Sequence, residues 1–294
     1  MIPLLPRLRR TLGAVAAILA FLVFAGATYQ GVATALERHR YQRPGGLVDA
    51  GGHQLHIHCT GHGSPVVVLE AALGSMSAAW GWIQPEIART TRVCSYDRAG
   101  LGWSEAGDGR FVPSRVPEEL RVLLDRANER GPIVLVGHEG GALFARTYAA
   151  RFAGDTAALV LIDDPTRGRA TVTPAFAPAW PWLARVGLLR LSGTPSELAD
   201  GLPEADADAM RAFLNRPDHL TRAAMEMSAI GDIEGMVRPL PPPSTVLVTS
   251  MSIGAHSQPA MIQSREDAAH AVQEISTTVV RVRALLEAGA VSNR

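Results

Sequence analysis

The sequence predicts an α/β fold: a doubly wound, mostly parallel sheet with a helical insertion and an N-terminal transmembrane helix. Four segments predict the sheet, namely PVVVLEA (65–71), RVCSYD (92–97), IVLVGH (133–138) and ALVLID (158–163). Each is a continuous apolar run rich in β-branched residues, which is typical of parallel strands buried on both faces. Helix-like segments alternate with these runs, as in βαβ units.

Residues 1–40 are predicted to form a membrane anchor. Three arginines at residues 7–10 precede an uncharged run over residues 11–36, and about 20 apolar residues in a helix cross a bilayer. The arginines favour a cytoplasmic N-terminus, which places the rest of the chain outside the cytoplasm. A cleaved signal peptide, with secretion of the remainder, is the alternative, because residues 25–27 (Ala-Gly-Ala) fit a cleavage site. Apolar residues surround the predicted helix, which disfavours a buried helix of a globular domain.

The remaining residues, 45–294, are predicted to form one domain that opens with a hairpin. LVDAGG and HQLHIHC alternate apolar and polar residues, as half-buried strands do. Crossover helices are expected over residues 79–89, 117–129 and 140–152.

Strand-like runs stop between residues 165 and 243, where prolines and tryptophans precede helix-like pieces. This segment is predicted to be a helical cap inserted into the domain. STVLVTS (244–250) restores the strand pattern, and TTVVRVRALLEAG near the C-terminus predicts an amphipathic terminal helix.

The charge balance and the cysteine content exclude some classes of partner, namely nucleic acid and metal ions. Lys plus Arg equals Asp plus Glu at 28 each, so no global field attracts nucleic acid. The two cysteines, Cys59 and Cys94, lack metal-ligand spacing, so neither a metal nor another cofactor is expected. In an exported domain the pair could oxidise if the fold brings their Cα atoms within about 7 Å.

The segment of residues 137–141, Gly-His-Glu-Gly-Gly, follows a predicted strand and precedes a predicted helix. A nucleophile elbow needs this context, because glycines let strand and helix pass closely and expose the residue at the tip. That residue is Glu139. Glycines at this spacing are weak evidence alone, since ordinary strand-to-helix turns also favour them.

A second motif, YDRAGLGWS (96–104), follows a strand about forty residues earlier. Together with VVVLEAALG, GHEGG and LVLIDD, in this order, it resembles the α/β-hydrolase superfamily over roughly residues 45–290, particularly membrane-anchored bacterial esterase-like members. The resemblance is more specific before residue 165 than after it. It places Cys59 and Cys94 on adjacent strands, which implies a disulfide; two buried thiols are the alternative.

By this resemblance Glu139 takes the position of the nucleophilic serine. A glutamate has no hydroxyl for a base to deprotonate, so an acyl-serine mechanism is excluded there. Epoxide hydrolases and haloalkane dehalogenases in the family use an aspartate nucleophile, but the longer glutamate shifts the carboxylate. The oxyanion donors implied are the N–H of Gly140 and an N–H near Leu73 or Gly74, and they could instead bind the Glu139 carboxylate.

The family's catalytic histidine and following helix resemble the segment containing His270, which could pair with Glu139. The other histidines, including His138 and His256, are interpreted as structural or solvated. The loop after the seventh strand, MSIGAHSQ, contains no carboxylate. Asp164 is the substitute acid considered, and its alternative role is to cap a turn.

Two functional hypotheses follow. In the first, the chain is a hydrolase-class enzyme in which Glu139 acts as nucleophile or general base, with epoxide hydrolases as one precedent. In the second, the triad is degenerate, and the chain is a pseudoenzyme that binds a small apolar or ester-like molecule. The fold alone does not decide between them, because function depends on the site.

Overall fold

The structure is a computed structural model, and it describes residues 4–167, 177–193, 199–240, 246–252, 262 and 264–288. A seven-stranded sheet lies at its centre. The strands are β1 (Gly46–Asp49), β2 (Gln54–Thr60), β3 (Val66–Glu70), β4 (Val93–Tyr96), β5 (Ile133–His138), β6 (Thr156–Ile162) and β7 (Leu247–Met251).

The strand order across the sheet is β1-β2-β4-β3-β5-β6-β7. β2 pairs antiparallel with both β1 and β4, whereas the other neighbours pair in parallel. The predicted hairpin and the mostly parallel sheet are therefore confirmed. The chain runs from β3 to β4 and then crosses back over β3 to β5. Because these three strands are parallel, their carboxyl ends lie at the same edge of the sheet.

Helices cover both faces of the sheet. The helices in the described part of the chain are α1 (Leu4–Arg40), α2 (Gln84–Ile87), α3 (Val116–Arg126), α4 (Gly141–Arg151), α5 (Trp180–Arg185), α6 (Leu188–Ser192), α7 (Glu204–Leu214), α8 (Pro217–Ser228), α9 (Ile230–Val237) and α10 (Arg265–Glu287). Helices α3 and α4 contribute to the core on one face, and α2 and α10 to the core on the other.

Two helices differ from their predicted bounds. Residues 79–89 form a short 3-10 turn, Ser77–Trp80, and then α2, because Pro85 fits only the first turn of a helix. The terminal helix α10 begins at Arg265, well before the amphipathic pattern from which it was predicted. Its buried residues Ala268, Ala271 and Ile275 recur at helical spacing.

The cap lies between β6 and β7, and its described residues are largely helical, from α5 to α9. Buried side chains of α7 pack on the 3-10 turn that follows β3, and buried side chains of α9 pack against α4. The cap is thus connected to the sheet near the end of β3 and along α4.

Helix α1 is long and apolar enough to cross a membrane over Leu8–Arg38, by length and composition. Its C-terminal part contacts the cap. Gln30 is buried, and its side-chain amide donates to the Asn215 carbonyl at 2.7 Å. Arg190 of α6 donates to the Glu37 carboxylate at 2.9 Å.

Cys59 and Cys94 are directly opposite each other on β2 and β4 and are joined as a disulfide. Their Cα atoms are 4.0 Å apart. Glu129 lies close enough to form a candidate metal cluster with them. Bonded sulfur atoms, however, are not the thiolates that such a site requires.

Candidate active site

Glu139 lies in the turn between β5 and α4, at the carboxyl edge of the sheet. Its φ angle is +49°, a left-handed conformation that a non-glycine residue keeps only where its surroundings hold it. The Glu139 N–H donates to the Ile162 carbonyl at 2.8 Å, and its carbonyl accepts from the Ala142 N–H at 2.9 Å. The chain therefore forms the strand, sharp turn and helix that the motif predicts.

Two glycines allow this turn to pack closely. A Cβ atom at Gly137 would lie 2.6 Å from the Ala142 Cα, and one at Gly141 would lie 2.3 Å from the Ala71 carbonyl oxygen. Both contacts are with backbone, which a side-chain rotation cannot relieve. Glycine at these positions therefore lets β5, α4 and the loop after β3 approach one another.

The Glu139 side chain is buried, with 8% of the residue exposed. Its Oε2 accepts a hydrogen bond from the Gly140 N–H at 3.2 Å. Burial raises the pKa of Glu139, whereas the Gly140 N–H and the neighbouring His138 act in the opposite direction. The carboxylate thus accepts a hydrogen bond from the N–H group that the family resemblance predicts as an oxyanion donor.

The loop after β3 holds the second predicted donor. The Gly74 N–H donates to Oε2 of the buried Glu226 at 2.8 Å, so it is already paired with a carboxylate from the cap. Leu73 is also buried, and its Cγ would lie 2.3 Å from a Cβ atom at Gly140. The loop therefore packs tightly on the turn that carries Glu139.

Arg98 connects this loop to the cap. Its Nε and Nη2 donate to the two carboxylate oxygens of Glu226 at 2.9 and 2.8 Å, and its Nη1 donates to Glu70 at 2.5 Å. Burial raises the pKa of Glu70, although Arg98 opposes that shift. Arg98 lies in the motif over residues 96–104, but no local signal in the sequence identifies its partner Glu226, which lies 128 residues away.

The structure also brings His138 and Asp163 next to Glu139. His138 Nε2 lies 3.8 Å from Asp163 Oδ2, and both residues are buried at the ends of β5 and β6. Asp163 has a φ of +51° and donates its N–H to the Met251 carbonyl at 2.9 Å. The sequence predicts a structural or solvated role for His138. The sequence signal that could have identified Asp163 is its place as a carboxylate at the end of β6, the strand beside β5.

His270 does not reach Glu139. It lies within α10 on a solvent-exposed face, and no hydrogen bond or ion pair joins these two described residues. The reason is an N-cap that the prediction overlooked: Ser264 Oγ accepts the Asp267 N–H at 3.0 Å and starts the helix at Arg265. His270 therefore follows a helix start instead of preceding one.

Both carboxylate oxygens of Asp164 form contacts with nearby residues. Its Oδ2 pairs with Arg146 of α4 at 2.5 Å, and its Oδ1 accepts from the N–H and hydroxyl of Thr166 at 3.0 and 2.8 Å. These contacts match the turn-capping alternative. No histidine is among its partners in the described part of the chain.

A cavity lies beside this network. Arg98 and Glu226 line a space of about 460 Å³ together with Arg222 and Glu119, and Glu139 does not line it. His256 and the rest of the loop over residues 253–261 lie outside the described residues.

The model of the alpha/beta hydrolase family matches residues 54–290. The uncharacterized protein YqjL of Bacillus subtilis is 28% identical over 147 residues, which are 50% of this chain and 57% of that protein. A 2-hydroxy-6-oxo-2,4-heptadienoate hydrolase of Pseudomonas putida is 31% identical over 121 residues, or 40% of this chain and 44% of that protein. The chain thus spans about half the length of these two relatives.

Solved structures show the same fold. The Cif epoxide hydrolase from Acinetobacter nosocomialis superposes with a TM-score of 0.64 at 14% sequence identity. The superposition covers 86% of this chain and 96% of that chain.

Proposed function

Because the chain belongs to the α/β-hydrolase family, we propose that it is a membrane-anchored member that binds a small apolar or ester-like molecule without serine-esterase turnover. The hydrogen bond from the Gly140 N–H to the Glu139 carboxylate carries this proposal. A seryl mechanism needs a hydroxyl nucleophile and free N–H groups for the oxyanion. Here a carboxylate replaces the hydroxyl and occupies one of those N–H groups.

The surroundings of Glu139 support a degenerate triad. His270 is solvent-exposed on α10, and Asp164 is paired with Arg146. The groups that do lie close to Glu139 are His138 and Asp163. A ring N–H of His138 and a protonated Glu139 carboxyl can each donate a hydrogen bond to the carbonyl oxygen of a bound ester without forming an acyl intermediate.

The anchor belongs to the same proposal. Helix α1 has the length and composition of a membrane span, and the arginines before its apolar run favour a cytoplasmic N-terminus. The Cys59–Cys94 disulfide agrees with a domain outside the cytoplasm, because disulfides persist in oxidising compartments.

An ester assay on the full chain in detergent tests the proposal. We expect wild type, Glu139→Ala and Glu139→Gln to leave short-chain chromogenic esters unhydrolysed, while equilibrium dialysis detects saturable binding of the same esters to wild type. Glu139→Gln is the matched control, because it keeps the size of the side chain and removes the charge. Hydrolysis by wild type that disappears in Glu139→Ala would contradict the proposal.

Glu139-dependent epoxide hydrolysis is a second candidate, favoured by the buried carboxylate at a strained turn and by the structural likeness to an epoxide hydrolase. In that reaction a Glu139 oxygen bonds to an epoxide carbon, the ring C–O bond breaks, and the released oxygen takes a proton. Water then hydrolyses the resulting ester. Burial raises the pKa of Glu139, which opposes the ionised form that the attack requires, so this candidate ranks second.

Isotope labelling separates the two candidates. If Glu139 forms the ester, turnover of an aryl epoxide in ¹⁸O-water places ¹⁸O in the Glu139 carboxylate, which mass spectrometry of the peptide detects. Wild type incubated in ¹⁸O-water without the epoxide is the control for exchange without catalysis. Diol formation with no label in Glu139 would exclude the covalent role, and absence of diol would leave binding as the function.

A further inference from the structure

The outer surface of the cap carries three large apolar side chains that are exposed to solvent. Trp182 on α5 is 70% exposed, and Leu188 and Leu191 on α6 are 51% and 70% exposed. Leu188 and Leu191 are three residues apart on one helix and therefore share a face. A group of exposed apolar side chains on adjacent elements, unlike scattered single ones, marks a surface that contacts an apolar partner.

These cap helices are fixed to α1 by close contacts. A Cβ atom at Gly26 would lie 2.2 Å from the carbonyl oxygen of Val186, the residue between α5 and α6. Arg190 of α6 donates from Nε to Gln30 Oε1 at 3.1 Å and forms an ion pair with Glu37. The contact positions on α1 recur at helical spacing, so one stripe of that helix holds the cap.

The length of α1 determines at what depth in a bilayer the contact between α1 and the cap lies. Twenty residues at about 1.5 Å each span the roughly 30 Å hydrocarbon core. Counted from the last arginine before the apolar run, such a span ends near Gln30. Gly26 and Val186 therefore lie close to the outer boundary of the core. Tyr29, exposed at the same level, is an aromatic residue of the kind enriched at that boundary.

We propose that α5 and α6 lie in the outer interface of the bilayer that α1 crosses, with Trp182, Leu188 and Leu191 inserted among the lipids. This inference rests on the membrane anchoring proposed above and adds a second, peripheral contact to it. Tryptophan favours this interface. The Arg185 guanidinium, stacked 4.9 Å from the Trp182 ring centroid, can reach the headgroups while its stem remains over apolar surface.

Spin labels on the full chain in phosphatidylcholine–phosphatidylglycerol liposomes test this contact. Leu188→Cys and Leu191→Cys place a label on the cap, and Leu19→Cys places one in the predicted span. Val280→Cys is the matched control, because Val280 is a 62% exposed apolar residue on α10. The native cysteines are paired with each other and do not take the label. We expect labels at 188 and 191, like the one at 19, to be more accessible to oxygen than to a water-soluble nickel chelate, and the label at 280 to show the reverse.

The contrary outcomes are distinguishable. If labels at 188 and 191 match the label at 280 while the label at 19 remains in lipid, the cap contact is wrong and the anchor stands. A label at 19 that meets the nickel chelate would reject the anchor itself. Labels at 188 and 191 shielded from both reagents would indicate a protein contact, such as a second copy of the chain, and would overturn the lipid contact.

Discussion

A glutamate at position 139 keeps the strained turn but brings a carboxyl group into a buried position. Its Oε2 has a backbone N–H partner at 3.2 Å, and burial raises its pKa. The folded state therefore retains the proton at pH values where the unfolded state has released it. By linkage, the contribution of Glu139 to stability falls as the pH rises through that interval. A serine at this position would carry no such dependence.

His219, a buried histidine of α8, gives the clearest pH prediction. Its Nδ1 accepts the Gly102 N–H at 3.0 Å, and its Nε2 lies 3.1 Å from the Gly74 carbonyl, which requires a neutral ring with the proton on Nε2. Burial lowers the pKa of His219 from 6.5 to about 4. The unfolded chain therefore binds a proton first as the pH falls, and about 3 kcal/mol of stability is lost between pH 6.5 and 4.

We expect His219→Asn to be less stable than wild type at pH 7.5 but to lose less of its unfolding free energy between pH 7 and pH 4.5. Denaturant unfolding in detergent, followed by circular dichroism, measures both quantities. His270→Asn is the control, because it removes an exposed histidine and should leave the wild-type dependence intact. Parallel curves for wild type and His219→Asn would show that the ring titrates normally in the folded state.

At the scale of elements, the bidentate pair of Arg98 and Glu226 connects the sheet to α8 of the cap. Both side chains are nearly fully buried, so removing one partner leaves the other as an uncompensated charge. We expect Arg98→Met to reduce the free energy of unfolding by about 3 to 5 kcal/mol. Limited proteolysis should then cut the cap before the sheet.

Two comparisons make that prediction specific. The double variant Arg98→Met/Glu226→Met also removes one of the two buried carboxylates that Arg98→Met leaves without a cation, and it should recover part of the loss. Recovery should be incomplete, because Glu70 still lacks Arg98. Arg89→Met breaks an exposed pair with Glu86 and should cost less than about 1 kcal/mol. Equal losses from Arg98→Met and Arg89→Met would show that the buried pair does not hold the cap.

Helix α10 shows what sequence reasoning captured and what it missed. Its amphipathic spacing predicted a terminal helix, but the start was placed too late. Ser264 and Asp267 form an N-cap that was readable in the sequence as Ser-x-x-Asp. This signal places His270 inside a helix instead of before one. Family resemblance instead placed a catalytic histidine there.

Across the whole molecule, the sheet was predictable because buried parallel strands leave continuous apolar runs in the sequence. The turn at Glu139 was predictable because its glycines and the preceding strand are local signals. The partners in the site were not, since Glu226 and Asp163 meet Arg98 and His138 only after the chain folds. Single-sequence patterns do not record which distant charges become neighbours.

The Cys59–Cys94 disulfide connects the fold of the whole molecule to its compartment. The two residues are 35 positions apart. A cross-link that closes a loop of that length lowers the entropy of the unfolded chain and so stabilises the folded state by about 3 to 4 kcal/mol. We expect Cys59→Ala/Cys94→Ala to lose about that much unfolding free energy.

If the domain lies outside the cytoplasm, the wild-type chain in a bacterial host should react with a membrane-permeant maleimide only after reduction. The double variant is the control for labelling elsewhere, and thiols that react without reductant would place the domain in a reducing compartment.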